Sequence, residues 1–123
     1  MNEIRTTLPR SPGSARLARD VVTECTDGVT DDVRDDALLL TSELVANALR
    51  HGKGVVTLHV AREPEELVVE VADEGHGAIE MTPKPSSLGG WGLRVVDQLA
   101  DDWGVRPGST RVWFRLSLDA RLG

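Results

Sequence analysis

The chain contains a single cysteine, Cys25, among its 123 residues. One thiol can form neither an intramolecular disulfide nor a cysteine metal cluster, so the expected compartment is a reducing interior and Cys25 reads as a small core residue. The stretch from Met1 to Pro9 lacks the basic-then-apolar pattern of a secretory signal, and no apolar run approaches membrane-spanning length. These absences point to a cytoplasmic protein without a membrane partner. Basic residues are outnumbered, 14 Lys and Arg against 20 Asp and Glu, giving a net charge of −6 with no visible Lys/Arg cluster. That argues against nucleic acid as a direct partner, because phosphate-backbone binding needs a basic face. It leaves a nucleotide open, since a single polyphosphate can be held by backbone N–H groups, helix N-termini and Mg²⁺. No internal repeat or linker interrupts the chain, whose length fits one domain over residues 1–123 with a core of its own.

Aromatic residues make up only 3%, so the apolar patterning is carried by aliphatic side chains. Residues 3–8 predict a short edge strand closed by Pro9 and a turn over 11–14. From Ser14, the residues Ala15, Leu17, Ala18, Val21, Val22 and Cys25 repeat at helical spacing, with Ser11 or Ser14 as N-cap and an end near Asp27 and Gly28. A second helix starts after Thr30 with Asp31 and Asp32 in its first turn and runs to about His51, where Gly52 stops it. Residues 55–62 and 67–73 are β-branched runs joined by a polar connection of hairpin length, which predicts two antiparallel strands.

After Asp73 and the residues Glu74 to Gly77, a segment to about Leu88, with Pro83 and Pro85, lacks any period and reads as a loop. Leu93, Val95, Val96, Leu99 and Ala100 then mark a short amphipathic helix. Residues 103–106 and 110–118 complete the pattern as strands on either side of a turn at Pro107, Gly108 and Ser109. The order β-α-α-β-β-loop-α-β-β predicts a two-layer α/β sandwich, with helices on one face of a mostly antiparallel sheet.

Polar groups gather at element ends. Glu43 and Asn47 stand four apart on the second helix, at the edge of the apolar arc of Val33, Ala37, Leu40, Leu44, Val45 and Ala48. A carboxylate there can take a proton or orient water, and an amide oxygen can serve a hard cation. Asp73 ends a strand and is followed by Gly75 and Gly77, so the backbone can turn sharply and a flat ligand can approach without meeting a Cβ. Gly89, Gly90 and Gly92 lead into the third helix, whose free N–H groups favour phosphate. His51, His59 and His76 fall on separate elements with no nucleophile or metal-ligand spacing, which argues against a histidine-based hydrolase.

In this order, the Glu-x₃-Asn helix, the Asp-x-Gly-x-Gly turn, the irregular loop and the Gly-x-Gly helix start resemble a known set. They are similar to the N box, first glycine box, lid and second glycine box of the Bergerat-type ATP-binding fold shared by gyrase B, Hsp90 and histidine kinases. The anti-sigma-factor serine kinases of that fold are the closest likeness, in the stretches Ser42 to Gly52 and Gly90 to Asp97, and the resemblance runs from about Asp36 to Leu118.

The resemblance implies ATP and Mg²⁺ as cofactors. It implies that Asn47 coordinates the metal, that Asp73 binds the adenine amine, and that Gly75 and Gly77 let the turn close on the base. Gly90 and Gly92 would present backbone to the phosphates, Leu93 would also belong to the cofactor-binding set, Thr110 would stand near the adenine, and Glu43 would be the general base toward a partner's seryl hydroxyl.

It further implies a transcription-regulating protein serine/threonine kinase that sequesters a sigma factor and phosphorylates an anti-anti-sigma protein, and that pairs as a homodimer through its N-terminal segment. The alternative is a non-catalytic, nucleotide-gated module that captures a protein partner. Glu43 favours the kinase, because a module that only binds has less use for a base.

Overall fold

A computed structural model of the chain describes residues 2–75, 91–106 and 110–118, with side chains for all of these except 2 and 91–93. The elements follow the expected order: β1 (Asn2–Leu8), α1 (Ser14–Cys25), α2 (Asp31–His51), β2 (Val56–Arg62), β3 (Glu66–Ala72), α3 (Trp91–Leu99), β4 (Asp102–Val105) and β5 (Val112–Ser117). The strands form one five-stranded sheet in the order β1-β2-β3-β5-β4, and each pairing is antiparallel. The predicted edge strand is therefore real, and its register sets Ile4 opposite Val60 and Leu8 opposite Val56.

Alternation along each strand decides what the two faces of the sheet do. On one face Ile4, Val60, Val69, Phe114 and Trp103 make a continuous cross-strand row, with Thr6, Leu58, Val71, Val112 and Val105 beside it. Leu58, Val60, Val69 and Phe114 in these rows are fully buried beneath the helices. The other face carries Arg5, His59, Glu70, Trp113 and Gly104. Here Glu70 accepts hydrogen bonds from Arg106 Nε at 3.2 Å and Arg111 Nη1 at 3.0 Å, and His59 Nε2 lies 2.7 Å from Glu3 Oε1. The Trp113 indole lies flat over Gly104, where a Cβ would stand 3.2 Å from its Nε1.

The central helix, α2, packs against α1 and α3 and onto β2, β3 and β5. Its buried residues include Val33, Ala37, Leu40, Leu44, Val45 and Ala48, the arc expected from the sequence. None of the helices among the described residues is long and apolar enough to cross a membrane.

The helix ends depart from expectation in two places. Neither serine caps α1: the N-cap is Gly13, and the buried Ser14 hydroxyl donates to the Pro9 carbonyl, closing the turn after β1. Gly52 ends α2 in an extended conformation, φ −91° and ψ −172°, rather than the left-handed one of a glycine stop. Any residue adopts those angles, so the glycine is required by its surroundings and not by its backbone.

Arginines from distant elements satisfy the exposed carbonyls at the C-terminal ends of both helices. After α1, Arg62 Nη1 donates to Cys25 O at 2.8 Å and Asp27 O at 3.2 Å, while Arg34 Nη2 donates to Thr26 O and Val29 O, both at 3.3 Å. Cations placed there offset the negative end of the helix dipole. Arg10 does the same for α2.

Candidate functional site

Glu43 and Asn47 emerge from α2 half-buried, one turn apart. Among the described residues neither side chain makes a hydrogen bond or an ion pair. Their polar atoms are not among the buried ones left without a partner, so water reaches them, and a carboxylate and an amide open side by side offer a place for a ligand. Among the described residues no group of three or more His, Cys, Asp or Glu could hold a metal ion. A single amide oxygen instead suits a hard cation that takes most of its ligands from phosphate and water, as Mg²⁺ does.

Asp73 follows directly after β3 and is also half-buried. Its Oδ1 accepts the Gly75 N–H at 2.5 Å, and its main-chain carbonyl accepts the Thr110 hydroxyl at 3.2 Å. The fold thus brings together Asp73, Gly75 and Thr110, the last from a position 37 residues further along the chain. The second carboxylate oxygen, Oδ2, has no hydrogen-bond partner among the described residues.

A residue that sequence reasoning treated only as a helix stop completes this corner. A Cβ at Gly52 would lie 2.2 Å from Asp73 Oδ2 and 2.5 Å from the Ala48 carbonyl oxygen. Gly52 is therefore glycine to let the carboxylate sit against the end of α2. The neighbouring turn is tied to the same strand end, with Glu74 N–H donating to Lys53 O at 2.8 Å and Val55 N–H donating to Glu74 Oε1 at 2.5 Å. The local signal for this corner was the Gly-Lys-Gly sequence at 52–54, a turn rich in glycine beyond what ending a helix requires.

Gly92 and Leu93 lie in the first turn of α3, where backbone N–H groups have no partner within the helix. Gly77, Gly90, His76 and the loop between the two glycine-rich stretches fall outside the described residues. The acceptor set fits a purine nucleotide: a carboxylate oxygen without a partner among the described residues, beside a glycine wall, suits an exocyclic amine, and the amide on α2 suits a metal-bound polyphosphate.

Comparison with known proteins bears on the family and the fold. The family model of the histidine kinase-like ATPase domain matches residues 8–116. No curated protein matches the chain. Among solved structures, the crystal structure of the RsbU and RsbW domains of Rv1364c from Mycobacterium tuberculosis is similar, with a TM-score of 0.68 and 21% identity over 95% of this chain and 31% of that one. That likeness is one of fold, and this chain spans roughly a third of the length of that one (31%). The family match extends from the end of β1 into β5, through the α2 strip and the Asp73 turn, and on that basis the chain belongs to the histidine kinase-like ATPase domain family.

Proposed function

We propose that this ATPase-type domain binds Mg·ATP and works as a regulatory protein serine/threonine kinase that captures a sigma factor and phosphorylates an anti-anti-sigma partner. The observation that carries the proposal is the pair Glu43 and Asn47, half-buried on adjacent turns of α2 without partners among the described residues. An ATP-binding module with no transfer activity has a use for the amide but little for the carboxylate. The fold shared with a structure that includes an RsbW domain supports the regulatory part of the proposal.

Each residue then has a task. The unpartnered Oδ2 of Asp73 accepts from the adenine amine, while the Gly75 N–H and the Thr110 hydroxyl hold the carboxylate and its carbonyl in place. Asn47 offers its amide oxygen to Mg²⁺, and Gly77, Gly90, Gly92 and Leu93 line the rest of the nucleotide, as in the family. Mg·ATP supplies the γ-phosphoryl group and offsets its charge on an acidic protein. Glu43 takes the proton of the partner's seryl hydroxyl as its oxygen bonds to the γ-phosphorus and the bond to ADP breaks.

The test separates binding from transfer, because a general base acts in the transition state and contributes little to holding ground-state ATP. Glu43→Ala should keep Mg·ATP affinity within a few fold while labelled phosphate transfer to a partner recovered from the native cell falls by about 10² or more. Undiminished transfer would remove Glu43 from the mechanism. A wild type that captures a partner in an ATP-dependent way and transfers nothing to it is a nucleotide-gated binding module.

A further inference from the structure

We propose that Arg10 is a positioning residue for base recognition, acting on the Asp73 carboxylate through the turn between α2 and β2; the inference rests on the reading of Asp73 as the base acceptor. Arg10 lies just beyond β1, far in sequence from any motif of the site. Its guanidinium spans the turn. Nη1 donates to Ala48 O at 3.4 Å and to Gly54 O at 3.2 Å, and Nη2 donates to Ala48 O at 3.3 Å and to Leu49 O. One fork thus grips the last carbonyls of the helix before Gly52 and the carbonyl of Gly54 after it.

Glu74 grips the same turn as well, its N–H donating to Lys53 O and its carboxylate accepting the Val55 N–H. Between the two clamps sits Gly52, against which Asp73 Oδ2 rests where a Cβ would be 2.2 Å away. Because Gly52 has no side chain to rotate aside, any shift of the turn is passed to the carboxylate. The other oxygen of Asp73 is pinned by Gly75 N–H at 2.5 Å, so the carboxylate cannot follow the turn without leaving that bond.

The charge of Arg10 matters as well as its reach. Ala48 O and Asp73 Oδ2 both crowd the site of the missing Gly52 Cβ, at 2.5 Å and 2.2 Å. A carboxylate beside the negative end of a helix is repelled by it. A cationic fork donating to that same carbonyl draws its charge away and lets the two acceptors stay close. A neutral side chain that merely filled the space would not do this.

The experiment is calorimetric titration of the full chain with Mg·ATP and with Mg·inosine triphosphate, which presents a carbonyl where adenine has its amine. Wild type should prefer ATP, and the ratio of the two affinities reports the carboxylate's placement. Arg10→Ala should lower that ratio by about tenfold or more, in line with the cost of a displaced positioning group, with inosine triphosphate affinity held within about threefold. A stability defect scales both affinities together and leaves the ratio alone, so a wild-type ratio in a folded Arg10→Ala protein overturns the proposal. Should the alanine variant not fold, Arg10→Lys, which keeps a cation but loses the fork, is read on the same ratio with the same two outcomes. Asp73→Asn runs in parallel. A ratio that survives that substitution overturns the reading of Asp73 and the inference with it, whereas a ratio lost there and kept in the Arg10 variant overturns the role of Arg10 alone.

Discussion

Replacing Gly52 by alanine tests the packing of the proposed base site with a single methyl group. The backbone is not the obstacle: at φ −91° and ψ −172° alanine is unstrained. By itself, the smaller entropy of an unfolded chain carrying alanine would stabilise the protein by about 0.4–1 kcal/mol. The contacts reverse that sign. The new Cβ would stand 2.2 Å from Asp73 Oδ2 and 2.5 Å from Ala48 O, whereas ordinary contact begins at 3.4 Å, so both contacts have to open. Asp73 can yield by about an ångström, but Ala48 O belongs to the helix backbone and receives the Gly52 N–H at 2.8 Å and the Arg10 fork, so its contact opens only if the turn itself moves.

Overpacking of this kind costs about 1–3 kcal/mol, and urea unfolding should show a lower midpoint with the slope unchanged. Displacing the carboxylate also forfeits a charge-assisted hydrogen bond to the base, about 1.5–3 kcal/mol, or roughly a 10- to 150-fold weaker Kd for Mg·ATP by calorimetry. Gly28→Ala is the matched control. Gly28 has φ 80° with nothing within 4 Å of a Cβ, so alanine there should lose about 1–2 kcal/mol of stability to backbone strain and leave nucleotide affinity untouched. A Gly52→Ala protein with wild-type stability and wild-type ATP affinity would refute the packing argument.

Asn47→Ala should flatten the dependence of ATP affinity on Mg²⁺, because the substitution removes the one protein oxygen assigned to the metal; titrations at stepped Mg²⁺ that superimpose on wild type would rule that assignment out. Phe114→Ala should cost about 3–5 kcal/mol in urea unfolding, since the ring is fully buried between Val69 and Trp103 in the inner row of the sheet; a loss below about 1 kcal/mol would mean the site collapses freely. Burial pushes the Cys25 thiol above its ordinary pKa, Glu24 adds to the shift and Arg62 opposes it. The folded state therefore holds the proton more tightly, and the resulting stabilisation is complete below the ordinary thiol range near about 8.5 and lost as pH rises through the folded value. Wild type should accordingly lose more stability than Cys25→Ala as pH is raised into that range, and equal alkaline slopes would contradict the burial argument.

The elements themselves were legible because each is written in a short stretch of chain. A 3.6-residue period placed α2 and put Glu43 beside Asn47 on one edge of it, and two-residue alternation placed β2, β3 and β5 with their apolar residues on a common face. Where the chain's own pattern was the cause, as in the arc of Val33, Ala37, Leu40 and Leu44, expectation and fold agree. Ser14 misled because its hydroxyl has two local uses, capping a helix or closing the turn behind it, and only the fixed position of Pro9 after β1 decides between them.

What the tertiary structure alone decided are the meetings of residues distant in sequence. The sheet order inserts β5 between β3 and β4, which carries Thr110 to Asp73, and the seating of β3 against the end of α2 turns Gly52 from a helix terminator into the wall behind a carboxylate. Arg10 reaches carbonyls 38 to 44 positions away, and Arg62 reaches back 37 to the end of α1. No periodicity in the chain encodes such contacts. An arginine that serves a remote carbonyl has the same local sequence signature as one that is merely solvated, and only the closed fold supplies its partner.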